Sequence, residues 1–194
     1  MPEQSFLPGF EAAPRPTDRL FFAIYPDAAA AAQIARLAQQ LRAEHGLQGK
    51  PLKPERFHVT LHHLGDHAGL PQDLVAAACV AAAGVAAAPF DITFDHVASF
   101  TSAPRNRPFV LRGDDGLAPL AAFQQSLGEA LKNTVLGRWA KPGFTPHVTL
   151  LYDDRSVPAQ AVTPVSWTAH EFVLVHSLMG QTRHVPLARW PLHA

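Results

Sequence analysis

The tetrapeptide His-Val-Thr-Leu occurs twice in this chain, at His58–Leu61 and at His147–Leu150, once in each half of its 194 residues. Histidine exchanges protons near neutral pH because its ordinary pKa is about 6.5. A threonine hydroxyl can donate a hydrogen bond to negative charge that develops on oxygen. Two such pairs around one centre would supply an acid, a base and two oxyanion donors, which predicts an enzyme.

Each copy lies in a run that is typical of a β-strand, and the alternation of a strand decides which side chains share a face. In the first copy, His58 and Thr60 face one side, whereas Val59 and Leu61 face the other. The apolar pair can be buried, which leaves the imidazole and the hydroxyl together on the opposite face. A pseudo-twofold axis between the two strands would gather two imidazoles and two hydroxyls around one cleft.

This set of groups suits a displacement at phosphorus. One neutral imidazole removes a proton from the attacking water, and the other, protonated, delivers a proton to the departing sugar oxygen. The hydroxyls of Thr60 and Thr149 are then placed to donate to the non-bridging oxygens of the transition state. A 2′,3′-cyclic phosphate is the most economical substrate because its ring is strained. No carboxylate lies beside the motifs, so neither a metal nor another cofactor is expected.

The elements that must position the motifs repeat in the order strand, helix, motif strand. The first series runs from a strand at 20–25 through a helix that begins at the N-cap Asp27 and stops at Gly46. The second runs from a strand at 109–111 through a helix at 117–136. The remaining predicted elements are a helix at 71–87 and strands at 90–94, 171–177 and 185–190. The pattern predicts an internally duplicated α+β fold with antiparallel sheets.

Composition limits the class of protein. The content of 47% hydrophobic residues and the formal net charge of zero predict a soluble globular protein. The balanced charge argues against a generic, charge-driven polynucleotide binder, although an RNA end needs only a few local contacts. Cys79 is the only cysteine, so no disulfide framework is expected and a cytoplasmic location is the natural interpretation.

Two segments outside the motifs decide the predicted domain boundary and whether a membrane span is predicted. Residues 1–18 contain four prolines and little periodicity, so we predict a flexible N-terminal tail followed by a single domain at 19–194. Residues 74–90 are nearly all apolar, but the segment is short, rich in alanine and interrupted by Gly84. A packed helix is therefore predicted there, and no membrane span.

With these motifs in view, the chain resembles the 2H phosphoesterase superfamily, specifically the bacterial LigT-like group of RNA 2′,3′-cyclic phosphodiesterases and 2′-5′ RNA ligases. The resemblance covers residue 19 to the end of the chain. The segments that carry it are Arg19–Ile24, Phe57–Leu61 with Leu64-Gly65, Phe144–Leu150 and Leu187–Leu192.

The resemblance implies a bilobal fold, with antiparallel sheets flanked by helices around a central cleft. It implies His58 and His147 as the acid–base pair, with His147 as base and His58 as acid, and Thr60 and Thr149 as phosphate ligands. The implied reaction opens 2′,3′-cyclic phosphate ends of RNA to 2′-phosphates without metal. The group often has an arginine shortly after the second motif, where this chain has Tyr152.

Four further residues are candidates for contacts to the substrate. Tyr152 can stack on a base or donate a hydrogen bond. His62 continues the alternation of the first motif and is expected in the same cleft, with a solvated position at the strand end as the alternative. Phe22, or Phe21 beside it, could stack on a base from the first strand. Arg107 lies in a polar connection and could reach the phosphate. Lower-ranked candidates, which precede the last strand, are Arg183 and His184.

The cluster His62, His63, Asp66 and His67 raises the possibility of a metal site. Adjacent histidines on a strand face opposite sides, so their chelating geometry is poor and we predict no metal there.

Three hypotheses follow for the function of the chain. The first is a phosphodiesterase acting on the 2′,3′-cyclic phosphate of RNA ends or nucleotides, in a protein expected to be a monomer. The second keeps the site but changes the substrate to a 2′-5′-linked oligonucleotide, a cyclic ADP-ribose-type phosphate or a reversible 2′-5′ ligation. The third is a module that binds RNA ends without turnover, which would sooner use arginine than paired histidines.

Overall fold

A computed structural model describes residues 14–101, 104–113 and 116–193. Their fold is one eight-stranded antiparallel sheet with three α-helices. The strands are β1 (Asp18–Ile24), β2 (Val59–His67), β3 (Phe90–Ser99), β4 (Arg107–Arg112), β5 (His147–Asp153), β6 (Gln160–Ala169), β7 (Glu171–Leu178) and β8 (Arg183–Pro191). The helices are α1 (Ala28–Glu44), α2 (Gln72–Ala83) and α3 (Ala118–Lys132). The predicted α+β class is confirmed, and the antiparallel sheets are joined into a single one.

The sheet is symmetric about its centre. Its strand order is β6-β3-β4-β5-β2-β1-β7-β8, so the two motif strands, β5 and β2, lie side by side in the middle. They meet where Val59 pairs with Val148, the second residue of each motif. The pseudo-twofold axis therefore passes between these valines. The repeated series predicted from the sequence corresponds to β1-α1-β2 and β4-α3-β5.

The two halves of the sheet are not the two halves of the sequence. Strand β3 follows the first series of elements in the chain. In the sheet, however, it pairs with β4 and β6 of the second half. Strands β7 and β8 return to the first half and extend it beyond β1. Helix α1 likewise packs on β5 and β6, whereas α3 packs on β2 and β3. This exchange of elements ties the lobes to a common core.

Local signals set the helix ends. The Asp27 carboxylate accepts a hydrogen bond of 2.8 Å from the Ala30 amide, so the predicted N-cap of α1 is confirmed. Gly46, just after α1, has φ +61°, a conformation that glycine adopts without strain. Helix α2 is shorter than predicted because it stops at Gly84. It has 12 residues, and within the described ranges no helix is long and apolar enough to cross a bilayer.

Strand β6 was missed by the sequence analysis. Pro164 lies in its middle, and proline cannot donate a backbone hydrogen bond to a neighbouring strand. Strand β6 tolerates it because β6 is an edge strand, which among the described residues pairs with β3 alone. The register shifts next to this proline, between Phe94 and His96 of β3, which further weakens the alternating pattern.

The body begins before residue 19. The Thr17 amide donates to the carbonyl of His67 (2.8 Å), and Asp18 is 7% exposed and hydrogen-bonded to His176. Thr17 and Asp18 of the predicted tail therefore belong to the fold, because hydrogen bonds hold them against β2 and β7. Residues 1–13 of the predicted tail lie outside the described residues.

Candidate active site

Strand β2 contains a β-bulge at the leucine of its motif. Thr60 is opposite Ala23 of β1, but the next partner along β1, Phe22, is opposite His62. Leu61 is therefore an extra residue without its own partner across the ladder. Beyond this point the side chains of β2 change faces relative to a regular strand.

Strand β5 contains the same bulge at the equivalent position. Thr149 is opposite Val110 of β4, whereas Leu151 is opposite Phe109. Leu150 is therefore the extra residue, as Leu61 is in the first motif. The duplication extends from the tetrapeptide to its backbone irregularity, which is typical of β-bulges next to functional sites.

The bulges decide which residues after each motif face the cleft. His62 and Leu151 turn into the core and are 4% and 0% exposed. The residues after them, His63 and Tyr152, face outward and are exposed. Tyr152 lies on the cleft because of this shift, and His62 does not.

The prediction that His62 faces the cleft is wrong because strict alternation does not survive the bulge. The Nε2 atom of His62 lies 2.9 Å from the backbone carbonyl oxygen of Gln124 on α3. Gly128, also on α3, leaves room for the ring, since a Cβ there would lie 3.1 Å from it. Burial lowers the pKa of His62, so the neutral ring donates to this carbonyl.

We expect the His62→Ala variant to lose stability while its turnover stays close to that of the wild-type protein. Removing a buried ring and its hydrogen bond typically costs about 1–3 kcal/mol of unfolding free energy. Thermal unfolding and steady-state kinetics on the same sample would measure the two effects. A variant with unchanged stability but a large loss of turnover would contradict the position of His62 in the core.

The cleft lies over the junction of the two motif strands and has a volume of about 230 Å³. All four predicted catalytic residues line it, so the structure brings the two motifs to one centre. The lining residues are Arg19, Phe21, Leu52, Arg56, His58, Thr60, His147, Thr149, Tyr152, Ser177 and His184.

The two histidines are held in the same way. The Nδ1 atom of His58 lies 2.7 Å from the carbonyl oxygen of Arg56, and Nδ1 of His147 lies 2.7 Å from that of Thr145. A carbonyl can only accept, so Nδ1 carries the proton in each neutral ring. The Nε2 atom of each ring is thereby left as the atom that takes up or releases a proton.

Burial favours the neutral form of both motif histidines. It lowers the pKa of His58 to about 4, and repulsion from His147 and Arg56 acts in the same direction. Burial also lowers the pKa of His147. The backbone hydrogen bonds at Nδ1 oppose these shifts without cancelling them. Aromatic rings contribute to the burial, because Phe21 lies 5.0 Å from the His58 ring and Phe100 lies 4.9 Å from the His147 ring.

The hydroxyls of Thr60 and Thr149 are positioned beside these rings by the strand pleat before each bulge. Both side chains are half-buried, and neither hydroxyl has a hydrogen-bond partner among the described residues. They remain free to donate to oxygens of a bound phosphate group.

Two arginines bring positive charge to the cleft. The guanidinium of Arg19 donates from Nε and Nη2 to the Asp66 carboxylate, at 2.7 and 2.8 Å. His63 lies 3.0 Å from the same carboxylate. Arg56 precedes the first motif and has no carboxylate partner within the described ranges. Its charge is therefore the less neutralised of the two.

The loop before the first motif closes another side of the cleft. The Asp153 carboxylate accepts hydrogen bonds from the amides of Gln48 and Gly49, at 2.6 and 2.7 Å. Gly49 is required for this close approach because a Cβ there would lie 1.9 Å from the Tyr152 carbonyl oxygen. The same loop carries Leu52 into the lining of the cleft.

Two predicted contact residues lie elsewhere. Phe22 is 0% exposed and packs against Phe172 and Trp190 in the core, so its predicted role in stacking on a base is wrong. Its neighbour Phe21 faces the cleft instead, because adjacent residues of β1 point to opposite faces. Arg107 is not part of the cleft lining, since its guanidinium donates to the Asp154 carbonyl at the end of β5.

Arg19, Arg56 and Ser177 are cleft residues that the sequence pattern does not identify, and His184 is one that it ranks low. Arg19 of β1, Ser177 of β7 and His184 of β8 form one row, since Arg19 is opposite Ser177 and Ser177 is opposite His184. No local signal links these residues, because they come from opposite ends of the chain. For Arg56, its position two residues before His58 is a signal that could have been used.

The candidate metal cluster is split by the bulge. His62 lies in the core, His63 and Asp66 are engaged with each other on the surface, and His67 bonds to the carbonyl of Leu64. In the part of the chain that the structure describes, no three histidine, cysteine or acidic side chains form an arrangement that could hold a metal ion.

Comparison with known proteins connects this architecture to a family. The family model of the 2′-5′ RNA ligase superfamily matches residues 25–181. No match was found among curated protein sequences. The crystal structure of E. coli LigT complexed with NADP+ has a TM-score of 0.71 and 27% identity, and the match covers 93% of this chain and all of that one.

Two further structures are similar over nearly their whole length. A crystal structure described as a phosphoesterase has a TM-score of 0.70 and 26% identity, with 91% of this chain and 99% of that chain covered. A protein of Thermus thermophilus has the same fold at 22% identity and a TM-score of 0.70, with 91% and 98% covered. The resemblance predicted from the paired motifs is confirmed: the chain belongs to the 2′-5′ RNA ligase superfamily and has the fold of the LigT-like 2H phosphoesterases.

Proposed function

We propose that this protein opens the 2′,3′-cyclic phosphate of RNA ends or nucleotides to a 2′-phosphate by two-histidine acid–base catalysis without metal. The observation that carries the proposal is the matched pair of histidines, each with Nδ1 fixed on a backbone carbonyl and Nε2 left for proton transfer at one cleft. The uncommitted threonine hydroxyls beside them supply donors for the phosphate oxygens.

In the proposed reaction one imidazole takes a proton from water through Nε2 as the water attacks phosphorus. The other imidazole, protonated at Nε2, donates to the sugar oxygen as its bond to phosphorus breaks. The pseudo-twofold geometry suits either assignment of these roles. His58 as the acid requires the bound phosphate to raise its pKa from about 4 towards neutrality, because a nearby anion stabilises imidazolium.

We expect the pH profile of kcat/KM to be bell-shaped with its optimum below about pH 6.5. The base must be neutral, so the rate falls as the pH drops through its pKa. The acid must be protonated, so the rate falls as the pH rises through its pKa. Burial lowers the pKa of both histidines, and both limbs of the profile therefore move to lower pH.

The same reasoning gives a different profile for kcat. The bound phosphate anion raises the pKa of both rings, so the optimum of kcat is expected at higher pH than that of kcat/KM. Both parameters would be measured on 2′,3′-cyclic AMP between about pH 4 and about pH 9. An optimum of kcat/KM well above neutrality would contradict the buried, neutral state of the histidines.

The substrate class rests on the cleft and on the relatives. The 230 Å³ cleft fits a phosphate and a sugar, and the exposed ring of Tyr152 at its edge can stack on a base. Structures of E. coli LigT are complexed with 3′-AMP, ATP and NADP+, which supports a nucleotide ligand here.

We propose that the protein acts as a monomer, in the cytoplasm.

The test is incubation of the purified protein with 2′,3′-cyclic AMP and with a short RNA ending in a 2′,3′-cyclic phosphate, each in EDTA. A 2′-phosphate product that the His58 and His147 variants do not form would support the reaction and its independence of metal. If neither substrate reacts, the site acts on another phosphodiester, such as a 2′-5′ linkage. Tight binding of the cyclic phosphate end without any product would favour a binding module.

A further inference from the structure

A second pocket of about 520 Å³ opens beside the cleft. Arg56 and His184 line both spaces, so the two are neighbours that share one wall. Residues at the end of β1 and in the turn into β8 also line this adjoining pocket. Its lining residues are Tyr25, Pro26, Glu55, Arg56, Glu171, Thr182, Arg183, His184, Pro186 and Arg189.

The cleft is small for a ligand that extends beyond one phosphate and its sugar. Sites for small molecules usually measure about 300–1,000 Å³, and the cleft has about 230 Å³. The adjoining pocket has more than twice that volume. A substrate whose reacting phosphate lies between the histidines therefore has room to continue over the shared wall.

The charges of the adjoining pocket favour an anion. Arg189 is paired with the carboxylate of Glu171. Among the described residues, neither Arg56 nor Arg183 has a carboxylate partner, and Glu55 is the remaining acidic side chain of the lining. The unpaired charges are thus two positive and one negative.

The lining of the adjoining pocket also contains hydrogen-bond donors without acceptors. Tyr25 Oη, Arg56 Nε and His184 Nδ1 are all buried, and none has a partner among the described residues. Burial raises the pKa of Tyr25 to about 12, so its hydroxyl keeps its proton. Nη2 of Arg56 lies 3.5 Å from Nε2 of His184, which must accept, and the proton of the neutral ring is therefore on Nδ1.

These three donors line one pocket, and a ligand with acceptor atoms would satisfy them. Phosphate oxygens are acceptors only, and arginine binds them with particular strength. Small side-chain rotations, which are common when a ligand binds, would turn these donors towards an anion in the pocket.

We propose that the adjoining pocket binds a second phosphate group of the substrate, the one on the 5′ side of the nucleotide whose cyclic phosphate reacts. Arg183 and Arg56 are its cationic ligands, and His184 separates it from the reacting centre. The preferred substrate class is then an oligonucleotide end or a 5′-phosphorylated nucleotide. This inference rests on the proposed function for the orientation of the substrate.

The test compares the binding of adenosine 2′-monophosphate with that of adenosine 2′,5′-bisphosphate by isothermal titration calorimetry. We expect the bisphosphate to bind about tenfold more tightly to the wild-type protein, the effect of one additional charge-assisted contact. The Arg183→Ala variant should bring the ratio of the two affinities close to one, and Arg183→Lys should retain part of it. Arg183 is exposed, so its replacement should not disturb the core.

The matched control is Arg36→Ala, which removes an exposed arginine of α1 that lines neither space and should leave the ratio unchanged. Equal affinities for the two ligands in the wild-type protein would overturn the proposal, as would a ratio that Arg183→Ala leaves intact. The binding ratio does not require turnover. Failure of the proposed function would be detected in a separate assay, in which no product would form from 2′,3′-cyclic AMP.

Discussion

Replacement of either His58 or His147 by alanine is expected to lower kcat/KM for a 2′,3′-cyclic phosphate by about 10²–10⁴. In the proposed reaction each ring supplies one of the two proton transfers through Nε2, since its Nδ1 is committed to the carbonyl of Arg56 or Thr145. The double variant should be little slower than either single variant, because one missing proton transfer already forfeits the concerted step. Steady-state kinetics near the pH optimum of each variant would measure these losses.

Two controls separate catalysis from folding. His58→Asn places an amide N–H where Nδ1 lies, so it can keep the hydrogen bond to Arg56 while removing the atom that transfers the proton. This variant should retain thermal stability and still lose activity. His170→Ala removes an exposed histidine outside the cleft and should have no effect on the rate. Near-normal turnover in the His58 or His147 variants would refute the mechanism.

The second large effect is expected at the threonines. Thr60→Val and Thr149→Val each remove a hydroxyl but keep the shape of the side chain. If these hydroxyls donate to the non-bridging oxygens, each variant should lose about 10²–10³ in kcat, the usual effect of removing one oxyanion donor. KM should change less, because negative charge on these oxygens is greatest in the transition state.

The matched control is Thr163→Val, the same change at an exposed position of β6, which should leave kcat and KM unaltered. Thermal unfolding of the two cleft variants should differ little from the wild-type protein, because neither hydroxyl has a partner among the described residues. A rise in KM with unchanged kcat would instead show that the threonines contribute equally to binding the ground state and the transition state.

The sequence by itself determined the family, the α+β class and the pairing of the two motifs. These followed from local patterns: the repeated tetrapeptide, the N-cap at Asp27 and the apolar periodicity of α1 and α3. Such signals come from residues within a few positions of one another, so they can be recognised in a single sequence before the fold is known. Tyr152 was predicted as a substrate contact because it stands where the resembling group often has an arginine, and it does line the cleft.

The tertiary structure alone decided which other side chains reach the cleft. Bulges at Leu61 and Leu150 reverse the alternation, which sends His62 into the core and turns Tyr152 towards the cleft. The row from Arg19 to His184 exists because β7 and β8 return to the first half of the sheet. Both effects arise from the register between strands, a property of paired backbones that no single strand contains.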